Sequence, residues 1–568
     1  KLFATRPAPI RLLTAERDSR RKRRRRETRR KEESAESPEG FPLSPSCLLL
    51  TRHMAFPAYS GNAMDAAPTH LEHLTRLTTD NVASRVRKTS IIATIGPSCD
   101  SVETIREMIV NGMNIARVNF SHGDRDAHRR RIRMIKEARE AYPEYYVAIA
   151  LDTKGPEIRT GPVKDHIPVV LKERDGFIVS VDVTGKQYCV QGQIYIDYPL
   201  IAEQLDIGQD LFIDDGVICL RVLAKHPEGL HCEVITGGEL GSHKGINLPS
   251  VRVQLPILSE RDEEDIKLGM EEHIDMIFAS YVRDKKEVWT VKDLVSESKK
   301  PIYVIAKIEN QDSLNNIDEI IEAADGILVA RGPLGVETPS AKVAIVQKMI
   351  VSKCNRNCKP VVIATQMLES MTCNPRATRA ECSDVANAVL DGADCVMLSA
   401  ETAHGKFPVG AVKVMHNICA EAETAYYQRW LLQDLRRFKT DLNQIETMAL
   451  AAATAVTCMH ATAIVLISSS GRSAQICAQF RPPVPIVALC SSKAVARKLH
   501  LFRGVLPYYC PETKVGPKMD VIEHTLEMGL EHCKRRGFVQ SGDPVVLITG
   551  WPNEILSIHS MMQIVHAK

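Results

Sequence analysis

The chain has 568 residues, of which 44% are hydrophobic and 25% charged, with a net charge of +3. That length exceeds a single hydrophobic core and calls for several domains. The composition is that of an ordinary globular protein, and it excludes a low-complexity, collagen-like or disulfide-scaffold chain.

Residues 1–60 read as a disordered basic leader. Arg20 to Lys31, "RRKRRRRETRRK", is followed at once by "EESAESPE". Such a run can bind nucleic acid, but a solvated leader explains it better, and a nucleic-acid partner is not expected. Its longest apolar run, "CLLL", is too short for a signal peptide or a membrane span. Seven acidic residues between Glu16 and Glu39 argue against a transit peptide. The first methionine is Met54, and compact patterning starts soon after it, so residues 1–53 are expected to be upstream translation or a dispensable leader. Sixteen cysteines are scattered singly with no C-x-x-C pair. Cys354 and Cys358 have the wrong spacing for a common zinc module, so free thiols in a reducing, cytoplasmic compartment are expected. No stretch elsewhere suggests a membrane partner.

A short helical segment is assigned to residues 61–87. From Lys88 onward, β-rich runs alternate with helical ones: "KTSIIATIG", "NIARVNF", "VAIALDTKG", then "DMIFASYV", "IYVIAKIEN", "GILVARG", "PVVIATQM" and "DCVMLSAE". Segments such as "SVETIREMIVNGM" between them carry apolar residues at helical spacing. Eight strand–helix units over residues 88–155 and 256–426 fit a (β/α)8 TIM barrel, although pattern alone also permits an open doubly wound sheet. The intervening residues 156–255 are short-stranded, with turns at "DDG", "TGG" and "HKG". They read as a small β-barrel inserted at the active end of the barrel, as a lid or a passive decoration. After "KVMHNICAEAETAYYQRWLLQDL", read as one long amphipathic helix, residues 427–568 form a C-terminal α/β domain.

Polar residues crowd onto the predicted strand ends, where a barrel aims them at one point. In "ARVNFS", Arg117, Asn119 and Ser121 alternate and share a side; so do Lys307 and Glu309 in "AKIEN". "LDTKGPEIRTG" adds Asp152, Thr153 and Arg159, and "ATQM" adds Thr365. One lysine beside one carboxylate can be a structural ion pair, but five polar strand ends together point to chemistry. Arg117, Arg159 and Lys307 suit phosphate oxygens. Glu309 is a hard ligand suited to Mg²⁺, and Asn119, Ser121, Asp152 and Thr153 offer oxygens to a monovalent cation. There is no Walker A sequence and no kinase-type glycine-rich loop, so a nucleotide site must be built otherwise.

"LDTKGPEIRTG", "AKIEN", "ATQMLESM", "RAECSDVANAVLDGADCVMLSAETA" and "GINLP" resemble pyruvate kinase, in the right order, across about residues 70 to 550. The resemblance implies a homotetramer with barrel, lid and C-terminal domains. It implies transfer of the phosphoryl group of phosphoenolpyruvate to ADP, giving pyruvate and ATP, with Mg²⁺ and K⁺ as cofactors. Matched by motif, Arg117, Lys307 and Thr365 take the catalytic roles. Lys307 neutralises the phosphoryl group in transit, and Thr365 stands beside the carbon that is protonated. Asn119, Ser121, Asp152 and Thr153 hold K⁺, while Glu309 holds Mg²⁺. Asn119, His122, Arg159 and Lys244 meet the nucleotide, and the backbone of Gly332 receives the substrate carboxylate.

One position departs from the family's pattern. In "VARGPLGVE" the family has Asp where this chain has Pro333, and that Asp is the second Mg²⁺ carboxylate and a second backbone donor. Proline in the first turn of a helix is well tolerated, so the fold is expected to survive while Mg²⁺ retention weakens. A turnover loss of at least about 100-fold follows by comparison with known costs at metal sites. Three readings remain open: an active enzyme with a compensating ligand, a crippled paralogue that assembles or binds effectors, and a sequence error or deliberate substitution.

In the last domain, Ser468, Ser469, Ser470, Gly471, Arg472 and Ser473 follow a strand and open a helix. They read as a cradle for the phosphate of an effector, or as a structural turn. The resemblance implies the pocket for the 6-phosphate of fructose 1,6-bisphosphate. However, "PNEILSIH" after "TGW" lacks the family's glycines and arginine, and "VGPKMD" stands near the position of a sugar-binding tryptophan. Activation by this sugar is therefore not implied.

Overall fold

The computed structural model describes residues 67–568 apart from 81–82, 84–85, 182–187, 227–228, 250, 299, 440, 512–517 and 552–558. The basic leader, most of "PNEILSIH" and the first half of "VGPKMD" lie outside the described residues.

Eight parallel strands close into a barrel. They are β1 (Ser90–Thr94), β2 (Met113–Asn119), β3 (Ala148–Asp152), β4 (Met276–Ala279), β5 (Tyr303–Ile308), β6 (Gly326–Ala330), β7 (Val361–Ala364) and β8 (Cys395–Leu398). Closure is made by β1 on β8, with Ser90 opposite Cys395, which removes the open-sheet alternative. The strands are apolar almost throughout because both faces are covered. Ile92, Ala150, Phe278, Ile305 and Leu328 fill the barrel, while their neighbours Ile91, Ile149, Leu151, Ile277 and Val304 pack on the surrounding helices. Those helices start where short polar side chains accept the free N–H groups of the first turn. Asp124 accepts from Ala127 N, and Ser259 with Asp262 and Thr378 with Glu381 form reciprocal caps.

The inserted segment between β3 and β4 has its own core, with Phe177, Val179, Ile194, Tyr198, Leu211 and Leu220 buried together. Its main sheet has seven strands, running from Ile158–Arg159 at one edge to Gln193–Tyr195 at the other. The edges meet: Thr160 bridges Ile196, and Gly161 N donates to Tyr195 O at 2.9 Å. The sheet thereby curls back on itself so that its edges touch. At "DDG", Asp214, Asp215 and Gly216 are all left-handed (φ 56°, 54° and 87°), which turns the strand Asp210–Ile213 into Ile218–His226.

The C-terminal sheet runs β11–β10–β9–β12–β13, from β9 (Ala463–Ile467), β10 (Ile486–Cys490), β11 (Val505–Tyr509), β12 (Pro544–Trp551) and β13 (His559–His566). β13 is antiparallel to β12 at the edge. As an edge strand it is only partly buried, with Met562 and Val565 half covered and Ile564 exposed, so "HSMMQIVH" carries no continuous apolar run. The segment read as one long helix is two, Pro408–Thr424 and Gln428–Phe438. Between them Tyr427 has ψ 86°, and its hydroxyl donates to Ala67 O at 2.9 Å. His70 and His73 of the first helix, His70–Thr75, pack on the same ring, so the break is a docking point.

This domain sits on the amino-terminal end of the barrel. Arg497 binds Asp275 just before β4 (2.7 Å), and Arg481 binds both oxygens of Asp394 just before β8 (2.6 and 2.8 Å). The carboxyl ends of the strands are left to the site. Among the described residues, no helix is long and apolar enough to cross a membrane.

Candidate active site at the carboxyl ends of the barrel strands

Four charged side chains from three strands converge here. Arg117 at the end of β2 donates through Nε to Asp152 Oδ2 at the end of β3 (2.6 Å) and through Nη1 to Thr94 Oγ1 of β1 (2.9 Å). Lys307 Nζ on β5 reaches Asp152 Oδ1 (3.2 Å), Glu309 Oε1 (3.1 Å) and Ser280 Oγ (2.8 Å). The other Glu309 oxygen accepts the backbone N–H of Tyr281 at 2.6 Å. Arg117, Asp152, Lys307 and Glu309 are all at least nine-tenths buried, and buried charges persist only when paired in this way.

The electrostatics follow from that pairing. Burial alone would raise the pKa of Asp152, but Arg117 and Lys307 outweigh it and hold the carboxyl below its usual range. Burial works against the Lys307 cation, and Asp152 with Glu309 reverses this, so its pKa stands above the ordinary lysine value. Two cations and two carboxylates cancel. The site therefore has no surplus positive charge for a phosphorylated substrate, and added cations would have to supply it.

The donor set fits such cations. Asn119 Oδ1 accepts from Ser121 N in the turn after β2 (3.1 Å), and the carbonyl of Thr153 accepts from Ser280 Oγ (2.7 Å). With Asp152 these form an all-oxygen cluster between β2 and β3, suited to a monovalent ion. Glu309 offers the single carboxylate on which Mg²⁺ can rest when waters and substrate oxygens complete its shell. Among the described residues, no group of three or more His, Cys, Asp or Glu side chains is placed to hold a metal.

Position 333 explains part of that. β6 ends at Ala330, and the helix Arg331–Glu337 starts at once, with no side-chain cap. Pro333 lies in the first turn, where its missing N–H costs the helix nothing, and Thr338 N still bonds Leu334 O at 2.8 Å. Gly332 packs so closely on the end of β7 that a Cβ would stand 2.8 Å from Thr365 Cγ2. Thr365 and Gln366 are both left-handed (φ 74° and 54°). For a β-branched residue this is a strained conformation of the kind found at functional sites.

Of the residues singled out in the sequence, Arg117, Asp152, Thr153, Lys307 and Glu309 form one bonded cluster, and Gly332, Pro333 and Thr365 form a wall made by the ends of β6 and β7. Ser121 lies beyond the strand rather than on it. Arg159 and Lys244 belong to the mouth of the inserted domain. Arg159 binds Glu157 Oε2 and the carbonyl of His243 (2.8 Å), and Lys244 Nζ binds Asp214 (2.8 Å). Among the described residues, neither bonds to the Lys307 cluster. His122 stands in the turn after β2, where partial desolvation together with the nearby Arg159, His404 and Arg117 lowers its pKa.

Sequence reading missed Ser280, Tyr281 and Arg331. Ser280 and Tyr281 stand at the end of β4, the first strand end after the insertion, where no polar residue was named. Applying the strand-end rule there too would have found the serine. Arg331 stands inside "VARGPLGVE", where the sequence alone gives it no role.

The Ser468–Ser473 loop joins β9 to the helix Arg472–Gln479. Gly471 is left-handed (φ 88°), and the hydroxyls of Ser468 and Ser473 lie 2.8 Å apart, while Ser469 and Ser470 are exposed. A recess of about 190 Å³ adjoins Ser469. Arg472 does not line it, but lines a larger cavity against the barrel.

Comparison with known proteins agrees with this architecture. A family model described as the barrel domain of pyruvate kinase matches residues 86–412, and one for the pyruvate kinase alpha/beta domain matches residues 446–565. The chain is 45% identical over 524 residues to pyruvate kinase PKLR of Homo sapiens, covering 90% of this chain and 91% of that protein. It is 42% identical to a pyruvate kinase of Candida albicans (85% and 96% covered) and 42% identical to one of Agaricus bisporus (82% and 88%).

Proposed function

This chain belongs to the pyruvate kinase family, and on that footing we propose that it transfers the phosphoryl group of phosphoenolpyruvate to ADP, giving pyruvate and ATP, at the charge-balanced cluster around Lys307. That cluster is the observation that carries the reading. Such a transfer needs positioning and charge stabilisation rather than a covalent intermediate. Lys307, kept cationic by Asp152 and Glu309, lies beside the travelling phosphoryl group and then beside the enolate oxygen, where its charge counts most. Arg117 braces phosphate. Thr365, on the wall made by β7, faces the carbon that takes the proton. Gly332 N–H receives the substrate carboxylate, and Pro333 has no second donor to add. His122, Arg159 and Lys244 bring the nucleotide phosphates in from the lid side.

Glu309 would hold Mg²⁺, and Asn119, Ser121, Asp152 and Thr153 would hold K⁺; bound there, the ions would supply the positive charge that the phosphates require. The Ser468–Ser473 loop takes the phosphate of an effector. A homotetramer in the cytoplasm completes the reading.

Pro333 favours a second reading, a crippled paralogue that binds or assembles without turning over. Pyruvate formation from phosphoenolpyruvate and ADP, with Mg²⁺ and K⁺, separates the two when the chain and Pro333→Asp are compared. The expected outcome is turnover at least about 100-fold higher for Pro333→Asp, by the usual cost of disturbing a metal site. Equal turnover means that another group holds the metal. No turnover by either removes the catalytic reading.

A further inference from the structure

With Pro333 in place, the strand ends of the barrel offer Mg²⁺ one carboxylate, Glu309. A second acid hangs over the same strand ends from the inserted domain. The turn Asp214–Asp215–Gly216, left-handed at all three residues, rests on the helix that contains Pro333. A Cβ on Gly216 would stand 3.5 Å from Val336 Cγ2, at ordinary van der Waals contact. The lid is seated on that helix a second time, where Asn247 bonds Glu337.

The two acids of the turn differ in what they meet. Asp214 is bound by Lys244 Nζ at 2.8 Å. Arg159, the other nearby cation, is taken by Glu157 and by the carbonyl of His243. Asp215 has neither an ion pair nor a hydrogen bond among the described residues. It is open to solvent, yet its pKa is raised, first by desolvation from the protein around it and then by Asp214, with Lys244 and Arg159 opposing. An accessible carboxylate that is partly desolvated lines a cleft. The reach of its charge shows which cleft: it acts on Tyr281 at the end of β4 and on Glu369 after β7. Between β4 and β7 in the barrel lie β5 and β6, whose ends carry Glu309 and the helix of Pro333. Asp215 therefore overhangs the gap that position 333 leaves.

Given Glu309 as the Mg²⁺ ligand, on which this rests, we propose that Asp215 supplies the second carboxylate of the magnesium site from the lid, in place of the barrel acid absent at position 333. Mg²⁺ keeps several waters and takes one or two carboxylates, so two acids from different domains suffice. An acid on the lid holds the ion only while the turn rests on Val336. Metal retention and seating of the lid thereby become one event, and the site stays weaker than one with both acids on the barrel.

Titration of the full chain with Mn²⁺ in place of Mg²⁺, with K⁺ present and substrate absent, reads this without turnover, free Mn²⁺ being followed by electron paramagnetic resonance. Asparagine matches aspartate in size and accepts the left-handed backbone, so Asp215→Asn is expected to fold. It is expected to weaken Mn²⁺ binding about tenfold, the low end of the cost of disturbing a metal site. In Pro333→Asp, where the barrel carries its own second acid, the same substitution is expected to change binding less than about twofold, the limit for independent sites. Equal losses in the two backgrounds overturn the proposal, because they mark a general effect of lid charge. No loss in the unsubstituted chain overturns it too, as does no binding at millimolar Mn²⁺. Glu309→Gln separates this failure from that of the underlying reading. If Glu309→Gln leaves Mn²⁺ binding intact, Glu309 is not the ligand and both fall. If it removes binding while Asp215→Asn does not weaken it, the role of Asp215 alone falls.

Discussion

Arg331 grips the carbonyl of Thr365 with two nitrogens, Nε at 3.2 Å and Nη2 at 2.6 Å, while its Nη1 is anchored on Asp384 at 2.7 Å. The guanidinium thereby clamps the end of β7 to the end of β6 and holds Thr365 in its left-handed conformation. Arg331→Met removes that clamp. Stability is expected to fall by about 2 kcal/mol, as for other hydrogen bonds made by a charged group. In a Pro333→Asp background, where turnover is measurable, kcat is expected to fall about 100-fold through displacement of Thr365. Denaturant melts and steady-state kinetics read the two effects separately.

Ser280 ties Lys307, Asp152 and the carbonyl of Thr153 together through one hydroxyl. It fixes the ammonium without being the group that meets substrate. Ser280→Ala is expected to lower kcat about 10–100-fold, the range for groups that orient ligands from behind. KM for ADP should stay unchanged, and Ser280→Thr should restore much of the rate. A change in KM alone would show that the hydroxyl does not position Lys307.

Gly332→Ala places a methyl carbon 2.8 Å from Thr365 Cγ2. Thr365 cannot retreat easily, because Arg331 holds its carbonyl. Affinity for phosphoenolpyruvate is expected to fall about tenfold, equivalent to about 1.4 kcal/mol of overpacking. Fluorescence titration with the substrate alone reads this loss without turnover.

Glu337, at the end of the helix that contains Pro333, has its pKa pushed up to about 7. Burial is the main cause and Asp312 adds to it, while a hydrogen bond from Asn247 of the lid's last strand opposes both. Between pH 4.5 and about 7 the folded chain holds a proton that the unfolded chain has released. Stability contributed by this group is therefore present below that window and lost as pH rises through it. Glu337→Gln is expected to flatten this part of the pH–stability curve, measured by urea melts at successive pH values. An unchanged slope would remove Glu337 as its source.

How far the sequence could be read depended on what kind of physical signal each element leaves. The barrel strands were plain because burial on both faces makes each a compact apolar run between turn residues. Lys307 and Glu309, or Arg117 and Asp152, were visible because charged residues at strand ends have few structural reasons to be there. β13 left a weaker trace, being an edge strand whose residues are only partly buried. The break at Tyr427 left none locally, since its cause is a partner about 360 residues away in the chain. Arg331 belongs to the same class. An arginine at a helix start looks ordinary until the fold brings the carbonyl of Thr365 to it.

The pairing of Ile158 with Ile246 places the first and last strands of the inserted domain side by side. The excursion of the chain into that domain therefore begins and ends almost at one point on the rim. Joining two such near points with a short turn costs little closure entropy, and β3 and β4 pair directly with each other regardless, Met276 opposite Ala150. The insertion is a cassette hung on a two-stranded stem, so the barrel can be excised from it by one short splice, and a foreign domain with adjacent termini can be grafted in its place.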